Sequence, residues 1–374
     1  MTAILADPVS EVVAAAERLL TRRTGATVTL VDPIDLGGSG RTIVLRVRVA
    51  ENPFSLPRTL VLKQYGAVEA QGSENAFLRE VVSYQFATAL ATESRPGAEL
   101  LASDLPSRLL VLTDLGDSTP FAELVGKSDH DTVTNTLMAM AQALGRMHAA
   151  TVGREEDFTA LLRRAEVAHY DDAIASQVDA AVESVPQLLS DMLGVTVSDE
   201  VRAVASRAAK LFRSGGFRAF SSADLCPDNI IVNDEGVRFL DYEWGGFRDA
   251  LLDIAYARVS FPGCLCSIEL SQERADAMAD AWRAEVVGMW PALADDDVLA
   301  ARLAEAELIW VWFSTWMFLP GEGERVAAVR DHTLSVPRIE ALQRRWAQVA
   351  MSAERAGNAA VAHHATEVAA RLAD

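Results

Sequence analysis

Cysteine is scarce in this chain of 374 residues, with only Cys226, Cys264 and Cys266. Three thiols make no disulfide framework, and they lack the paired spacing of a four-ligand zinc site. Cys264-Leu265-Cys266 has metal-like proximity but no partner pair, so it reads as structural, with neither a zinc ligand nor a required disulfide expected. Such thiol usage fits a reducing cytoplasm most simply. Positive charge is also in deficit: 34 Lys and Arg stand against 53 Asp and Glu, for a net charge of −19 and a pI near 4.8. That balance argues against nucleic-acid partners and against adsorption to anionic membranes. Long apolar runs are missing. The longest, Leu308 to Leu319, is interrupted by Ser314 and Thr315. It is too short for a bilayer and reads as a buried helix. The opening MTAILADPVSEVV has neither the basic start nor the apolar core of a secretory signal. No G-x-x-x-x-G-K-[ST] loop occurs, and no full G-x-G-x-x-G. There is no internal repeat. What the chain does have is 50% hydrophobic content, enough for a large core in two lobes or domains.

The most informative stretch runs from Phe220 to Tyr256. A loop, Ser222 to Asn229, precedes a short apolar strand, Ile230 to Val232. Asn233-Asp234-Glu235-Gly236 is turn chemistry, and a second strand, Val237 to Leu240, ends at Asp241. Antiparallel pairing sets the start of one strand beside the end of the other, so Asp224, Asn229 and Asp241 can converge. Two carboxylates and an amide oxygen form a hard oxygen site suited to Mg²⁺. The D-x-x-x-x-N spacing of Asp224 and Asn229 is that of a kinase catalytic loop. Asp241 then stands where the second metal-binding Asp belongs.

Upstream, residues 9 to 22 form an amphipathic helix and Val28 to Val31 a first strand. Asp35 to Thr42 is a glycine-rich turn, followed by the strand Ile43 to Val49. Strand, glycine-rich turn and strand let backbone N–H groups approach phosphates, which makes Gly38 and Ser39 candidates. Arg58 to Tyr65 alternates as a strand, and Lys63 shares a face with Val61 and Tyr65. Asn75 to Leu90 is an amphipathic helix with Glu80 in its middle, and Glu74 is a second candidate partner for Lys63. Thr92 to Glu99 reads as a polar connection, and Leu109 to Leu112 as a buried strand. Helices then dominate: Asp131 to Ala150, Tyr170 to Val182 and Ser198 to Arg213, with Pro337 to Ala373 breaking near Gly357-Asn358. His148 reads as structural, and Asp249 and Asp253 as scaffold acids at a helix start. All seven tryptophans lie from Trp244 onward. Trp310, Trp312 and Trp316 share a helix that reads as core, although an aromatic wall of this kind could also stack a sugar or cage a quaternary ammonium.

Taken in order, Asp224-Leu225-Cys226-Pro227-Asp228-Asn229, Asp241-Tyr242-Glu243 and Arg248-Asp249-Ala250-Leu251-Leu252-Asp253-Ile254-Ala255 resemble the aminoglycoside phosphotransferase and choline kinase superfamily of small-molecule kinases. The resemblance covers residues 25 to 260 well and the C-terminal helices loosely. It implies an α+β, bilobal protein-kinase-like fold. A small N-lobe over residues 1–115, an antiparallel sheet with one helix, would bind nucleotide. A large, mainly helical C-lobe over residues 116–374 would carry the catalytic loop and the acceptor site. It further implies transfer of the ATP γ-phosphoryl group to a hydroxyl of an aminoglycoside, another antibiotic, a sugar or an amino alcohol. Asp224 would be the catalytic base, and Asn229 and Asp241 would hold Mg²⁺. Lys63, fixed by Glu80, would position phosphates. Val61, Asp114 and Leu115 would line the nucleotide site, the last two at the hinge. One departure stands out: Ser222 and Ala223 replace the family's His-Gly before Asp224. The family's His braces the loop, and serine keeps a single hydrogen bond for that purpose. A loop slackened by this change would leave a nucleotide-binding pseudoenzyme or regulatory module. A protein kinase is disfavoured, because neither A-P-E nor an activation-loop stretch follows Asp241.

Overall fold

The computed structural model describes residues 7–38, 42–50, 56–66, 73–127, 129–167, 174–268, 270–320 and 334–373. The first lobe is built on one five-stranded antiparallel sheet. Its strands are β1 (Leu30–Gly37), β2 (Ile43–Val49), β3 (Thr59–Gln64), β4 (Leu100–Asp104) and β5 (Leu109–Thr113), in the spatial order β1-β2-β3-β5-β4. Helix α1 (Pro8–Thr24) covers one face and α2 (Ser73–Thr88) belongs to the other. Asp7 caps α1 through a hydrogen bond from the Val9 N–H, and Gly25 closes it in the left-handed region at φ 74°.

Period-two alternation decides which residues face the second lobe. Leu45 and Val47 of β2 and Leu60 and Leu62 of β3 are buried against Val12, Ala16, Leu19 and Leu20 of α1. Their neighbours Arg46, Val61 and Lys63 must then point the other way. A slip of one residue would expose two leucines, worth about 1.5–3 kcal/mol each, and thrust the Lys63 ammonium under α1. The apolar layer under α1 therefore fixes where Lys63 points. Strand β4 was not anticipated. Its short Leu100-Leu101-Ala102 segment follows Pro96-Gly97 without a clear alternation of its own, and pairing with β5 makes it a strand.

The second lobe is largely helical. Strand β6 (Thr119–Pro120) leads into α3 (Phe121–Lys127), α4 (His130–Thr151), α5 (Glu155–Arg164), α6 (Ala175–Leu193) and α7 (Asp199–Ala208). Next come β7 (Arg218–Ser221), β8 (Ile230–Asn233), β9 (Gly236–Phe239) and β10 (Gly246–Asp249). Helices α8 (Leu251–Arg258), α9 (Gln272–Val286), α10 (Asp296–Phe318), α11 (Arg338–Arg355) and α12 (Ala359–Ala373) complete it. The expected start of α6 at Tyr170 falls outside the described residues. Helix α10 is central: Trp310 and Trp312 are buried, and their indole N–H groups donate to the carbonyls of Leu252 and Ala181. That helix is core. Among the described residues, no helix is long and apolar enough to cross a membrane.

Candidate active site

The segment carrying the site is held by two short pairings. Strands β7 and β10 pair antiparallel, with Ser221 opposite Gly246. Strands β8 and β9 form the anticipated hairpin, closing at Asn233 opposite Gly236. The pairing continues one step past the strands, where the Leu240 N–H donates to the Asn229 carbonyl at 2.8 Å. Asn229 and Asp241 are thus brought to the same end of the hairpin. Both line a cleft of about 470 Å³ between the lobes.

Gly38, Val61, Lys63, Asp114 and Leu115 line that cleft too. Glu80 does not. It is fully buried behind Lys63, whose Nζ donates to Glu80 Oε1 at 2.8 Å and to Asp241 Oδ1 at 2.6 Å. Ser39 and the side chain of Glu74 lie outside the described residues. Burial alone would lower the Lys63 ammonium, but Glu80 and Asp241 outweigh it and hold Lys63 well above the ordinary lysine range. Burial raises Glu80, against the pull of Lys63. Asp241 is the outermost member of the cluster, with its side chain 45% exposed, and it is the carboxylate a ligand can reach. Its backbone sits at φ 53°, a conformation that costs a non-glycine residue roughly 1–2 kcal/mol.

Two residues that sequence reasoning left without a role join this cluster. The Tyr65 hydroxyl is hydrogen-bonded to Glu80 and donates within reach of Glu243 Oε2 at 3.2 Å. Glu243, the last residue of Asp241-Tyr242-Glu243, lines the cleft. Two carboxylates therefore hold one ammonium, and Glu243 is linked to them through Tyr65. The hinge holds a second pairing. Arg46 reaches both oxygens of Asp114 at 2.9 Å and donates to the Gly116 carbonyl. The Asp114 carboxylate also accepts from the Gly116 N–H at 3.1 Å, so that side chain organises the hinge. The Leu115 carbonyl is taken by the Asn233 amide at 2.8 Å.

Asp224 is not among the residues lining the cleft but adjoins Asn229, which is. Its Oδ1 accepts from the Cys226 N–H at 3.3 Å, and the Asn229 amide reaches its carbonyl at 3.4 Å. Burial pushes its carboxyl up to about 7; the Cys226 N–H opposes this, while Cys264, Asp241 and Glu243 add to it. Behind the loop runs a buried relay. Trp282 can only donate, so its 2.9 Å bond makes His148 Nδ1 an acceptor and leaves the proton on Nε2. Nε2 then donates to Asp253 at 3.0 Å. The other Asp253 oxygen accepts from the Ser221 hydroxyl at 2.7 Å, and Ser221 Oγ accepts from the Ala223 N–H at 3.0 Å.

The bracing serine is thus Ser221. Ser222 is fully buried, and its hydroxyl has no hydrogen-bond partner among the described residues, contrary to the single bond expected of it. Ala223 stands at φ 72°, where glycine would be relaxed. Asp249, expected at a helix start, ends β10; its carboxylate nonetheless accepts from the Leu251 N–H at 3.2 Å. The cysteines also require correction. Cys264 and Cys266 do have a third partner, because the fold sets Cys226 against them with all three sulfurs within 4.8 Å of one another.

The family model for the phosphotransferase enzyme family matches residues 44–294. The chain belongs to that family, as the motifs of its hairpin segment led us to expect. No match was found among curated protein sequences. Solved structures share the bilobal kinase-like fold at low identity. The choline kinase of Cryptosporidium parvum Iowa II is 11% identical, with 88% of this chain and 91% of that chain covered and a TM-score of 0.50. A choline/ethanolamine kinase family protein from Mesorhizobium loti is 14% identical, with 91% and 93% covered and a TM-score of 0.47. The choline kinase of Streptococcus pneumoniae is 13% identical, with 90% and 99% covered and a TM-score of 0.46. The likeness to the Cryptosporidium parvum enzyme is one of fold alone.

Proposed function

We propose that this phosphotransferase is an ATP-dependent small-molecule kinase that moves the γ-phosphoryl group to a hydroxyl. The observation that supports this best is the Lys63–Glu80–Asp241 cluster on the floor of a cleft between the lobes. ATP occupies that cleft with its base toward Thr113–Gly116 and its phosphates toward Lys63. The apolar walls Val61, Leu112 and Ile231 suit a purine. The surplus of carboxylate over ammonium would repel a bare triphosphate, so a divalent cation has to accompany it. Asn229 and Asp241 supply hard oxygen donors in the same cleft and fit Mg²⁺. When bound there, Mg²⁺ supplies neutralisation of phosphate charge.

Lys63 draws phosphate oxygens to its ammonium, and Glu80, fixed in the core, keeps Lys63 extended toward them. Asp224 orients the acceptor hydroxyl and takes its proton as the new P–O bond forms and the bond to ADP breaks. The transition state is largely dissociative, so placement matters more than base strength. A side chain ionising near 7 is matched to that task. The acceptor is a small hydroxylated molecule. The aromatic side chains of α10 do not line the cleft, so they give no cage for a quaternary ammonium there.

A second reading has its own observation. The unpartnered Ser222 and the strained Ala223 are what a loop that has lost its catalytic role would show. The Ser221–Asp253–His148 relay favours transfer, because it still holds the loop. The test is ATP titration with and without EDTA, followed by γ-labelled ATP over a panel of aminoglycosides, other antibiotics, sugars and amino alcohols. Magnesium-dependent binding with label transfer is expected. Binding without transfer to any acceptor would favour the pseudoenzyme, and absence of binding would exclude both readings.

A further inference from the structure

Cys226 lies two residues beyond Asp224, on the same loop. Cys264 and Cys266 lie on the segment that leaves α8. Sequence separates the two groups by nearly forty residues, yet the three sulfurs lie within 4.8 Å of one another. Cys226 Sγ and Cys266 Sγ are 3.9 Å apart. Zinc–thiolate bonds of about 2.3 Å in tetrahedral geometry place sulfurs about 3.8 Å apart. A disulfide needs about 2.05 Å, so these sulfurs are unbonded, at a spacing that thiols in contact have and that an ion can bridge without rearrangement. Cys264 is only half-buried, which leaves a way in.

Arg345 of α11 provides the independent observation. It is 1% exposed. Its guanidinium donates to the carbonyls of Ser260, Phe261, Cys264 and Cys266 and to the Ser314 hydroxyl, with no carboxylate in ion-pair range among the described residues. A buried cation needs an anion nearby. Three thiolates around a divalent ion carry one net negative charge, and Arg345 carries one positive charge. The pair is neutral, whereas three neutral thiols leave Arg345 uncompensated.

We propose that Cys226, Cys264 and Cys266 are a three-thiolate site for zinc or a similarly thiophilic divalent cation, which ties the Asp224 loop to the segment after α8. Binding displaces up to three thiol protons to solvent and leaves the fourth position for water. The site is separate from the Asn229–Asp241 pair and does not depend on the proposed phosphoryl transfer.

The test uses the full chain, reduced and stripped with a chelator, then titrated with Co²⁺. One equivalent should produce the near-ultraviolet thiolate-to-cobalt charge-transfer band, and Zn²⁺ should abolish it by displacement. Cobalt held by Asn229 and Asp241 gives no such band, so the two sites are distinguished. Cys226→Ser and Cys264→Ser should each lose the band. Should either variant fail to fold, alkylation of the unmodified chain decides: equimolar zinc should protect all three thiols. Absence of both band and protection, or a band that survives in both variants, would overturn the proposal. So would a disulfide among these cysteines in protein purified without reductant.

Discussion

Asp241 and Asp224 flank one hairpin, and their surroundings are opposite. Asp241 lies 2.6 Å from the Lys63 ammonium, inside a cluster where Glu80, Tyr65 and Glu243 are all linked. Asp224 has a single backbone N–H and no cation among its hydrogen-bond partners. The first region sets an ammonium against carboxylates before any ligand arrives. The second is held near the point of taking up a proton. Under the proposed function, binding and proton transfer make different demands, and the two carboxylates would meet one each. A phosphate-binding floor gains from fixed charge, whereas a base must be able to accept a proton.

The largest expected effect falls on Asp224. Under the proposed function, Asp224→Asn lowers turnover by about 10²–10⁴ while leaving nucleotide affinity nearly intact. Asp241→Asn weakens magnesium-dependent nucleotide binding as well. Steady-state kinetics paired with nucleotide titration separates them, and equal losses of affinity in both variants would erase the contrast. The same substitution has a consequence for stability. The Asp224 carboxyl is raised to about 7 in the fold, against about 3.9 unfolded, so the native state holds the extra proton. Its contribution is therefore fully present below pH 4 and is lost as pH climbs through 7. Urea denaturation should show that decline in the unmodified chain and a flatter profile in Asp224→Asn, which keeps an acceptor for the Cys226 N–H.

Lys63→Met tests the other side of the comparison. It strands Glu80, which is fully buried. Removing one partner of a buried pair costs on the order of 3–5 kcal/mol. The loss must depend on pH. Burial already raises Glu80, and without Lys63 the folded chain holds a proton that an unfolded glutamate gives up above about 4.3. The deficit in unfolding free energy should therefore grow from pH 5 to pH 8. An equal deficit at both would mean that Glu80 is not carrying its charge alone.

Local pattern explains how much of this was legible in the sequence. Alternation in Leu60-Val61-Leu62-Lys63 points the lysine at the cleft, and the Asn233–Gly236 turn sets Asn229 beside Asp241. Both follow from neighbours a few residues away. The Arg46–Asp114 pair and the convergence of Cys226 on Cys264 and Cys266 leave no local trace, because packing of distant elements makes them. Tyr65 was placed on the right face, but no spacing rule says that its hydroxyl reaches Glu80 and Glu243. The His148–Asp253–Ser221 relay spans more than a hundred residues. Motif spacing directed attention to Ser222, the position two before Asp224. Which of two adjacent serines makes the bond depends on the path of the chain out of β7, and the sequence is silent on that.

Those two serines give the smallest and most local test. Ser221→Ala removes the hydroxyl that donates to Asp253 at 2.7 Å and accepts from the Ala223 N–H at 3.0 Å. Both partners are then left buried without it, which costs about 1–3 kcal/mol. Because the lost bond positions the residue before Asp224, turnover should fall more than nucleotide affinity. Ser222→Ala removes a hydroxyl that is equally buried but has no partner among the described residues. Nothing is orphaned, and the burial penalty of an unsatisfied polar group disappears. Stability should hold or rise by up to about 1 kcal/mol, with turnover unchanged. Thermal or urea unfolding of the two variants side by side measures the difference. If Ser222→Ala proves the more damaging, Ser222 carries the brace, the relay through Ser221 is incidental, and the Asp224 loop is held at the position where the family keeps its histidine.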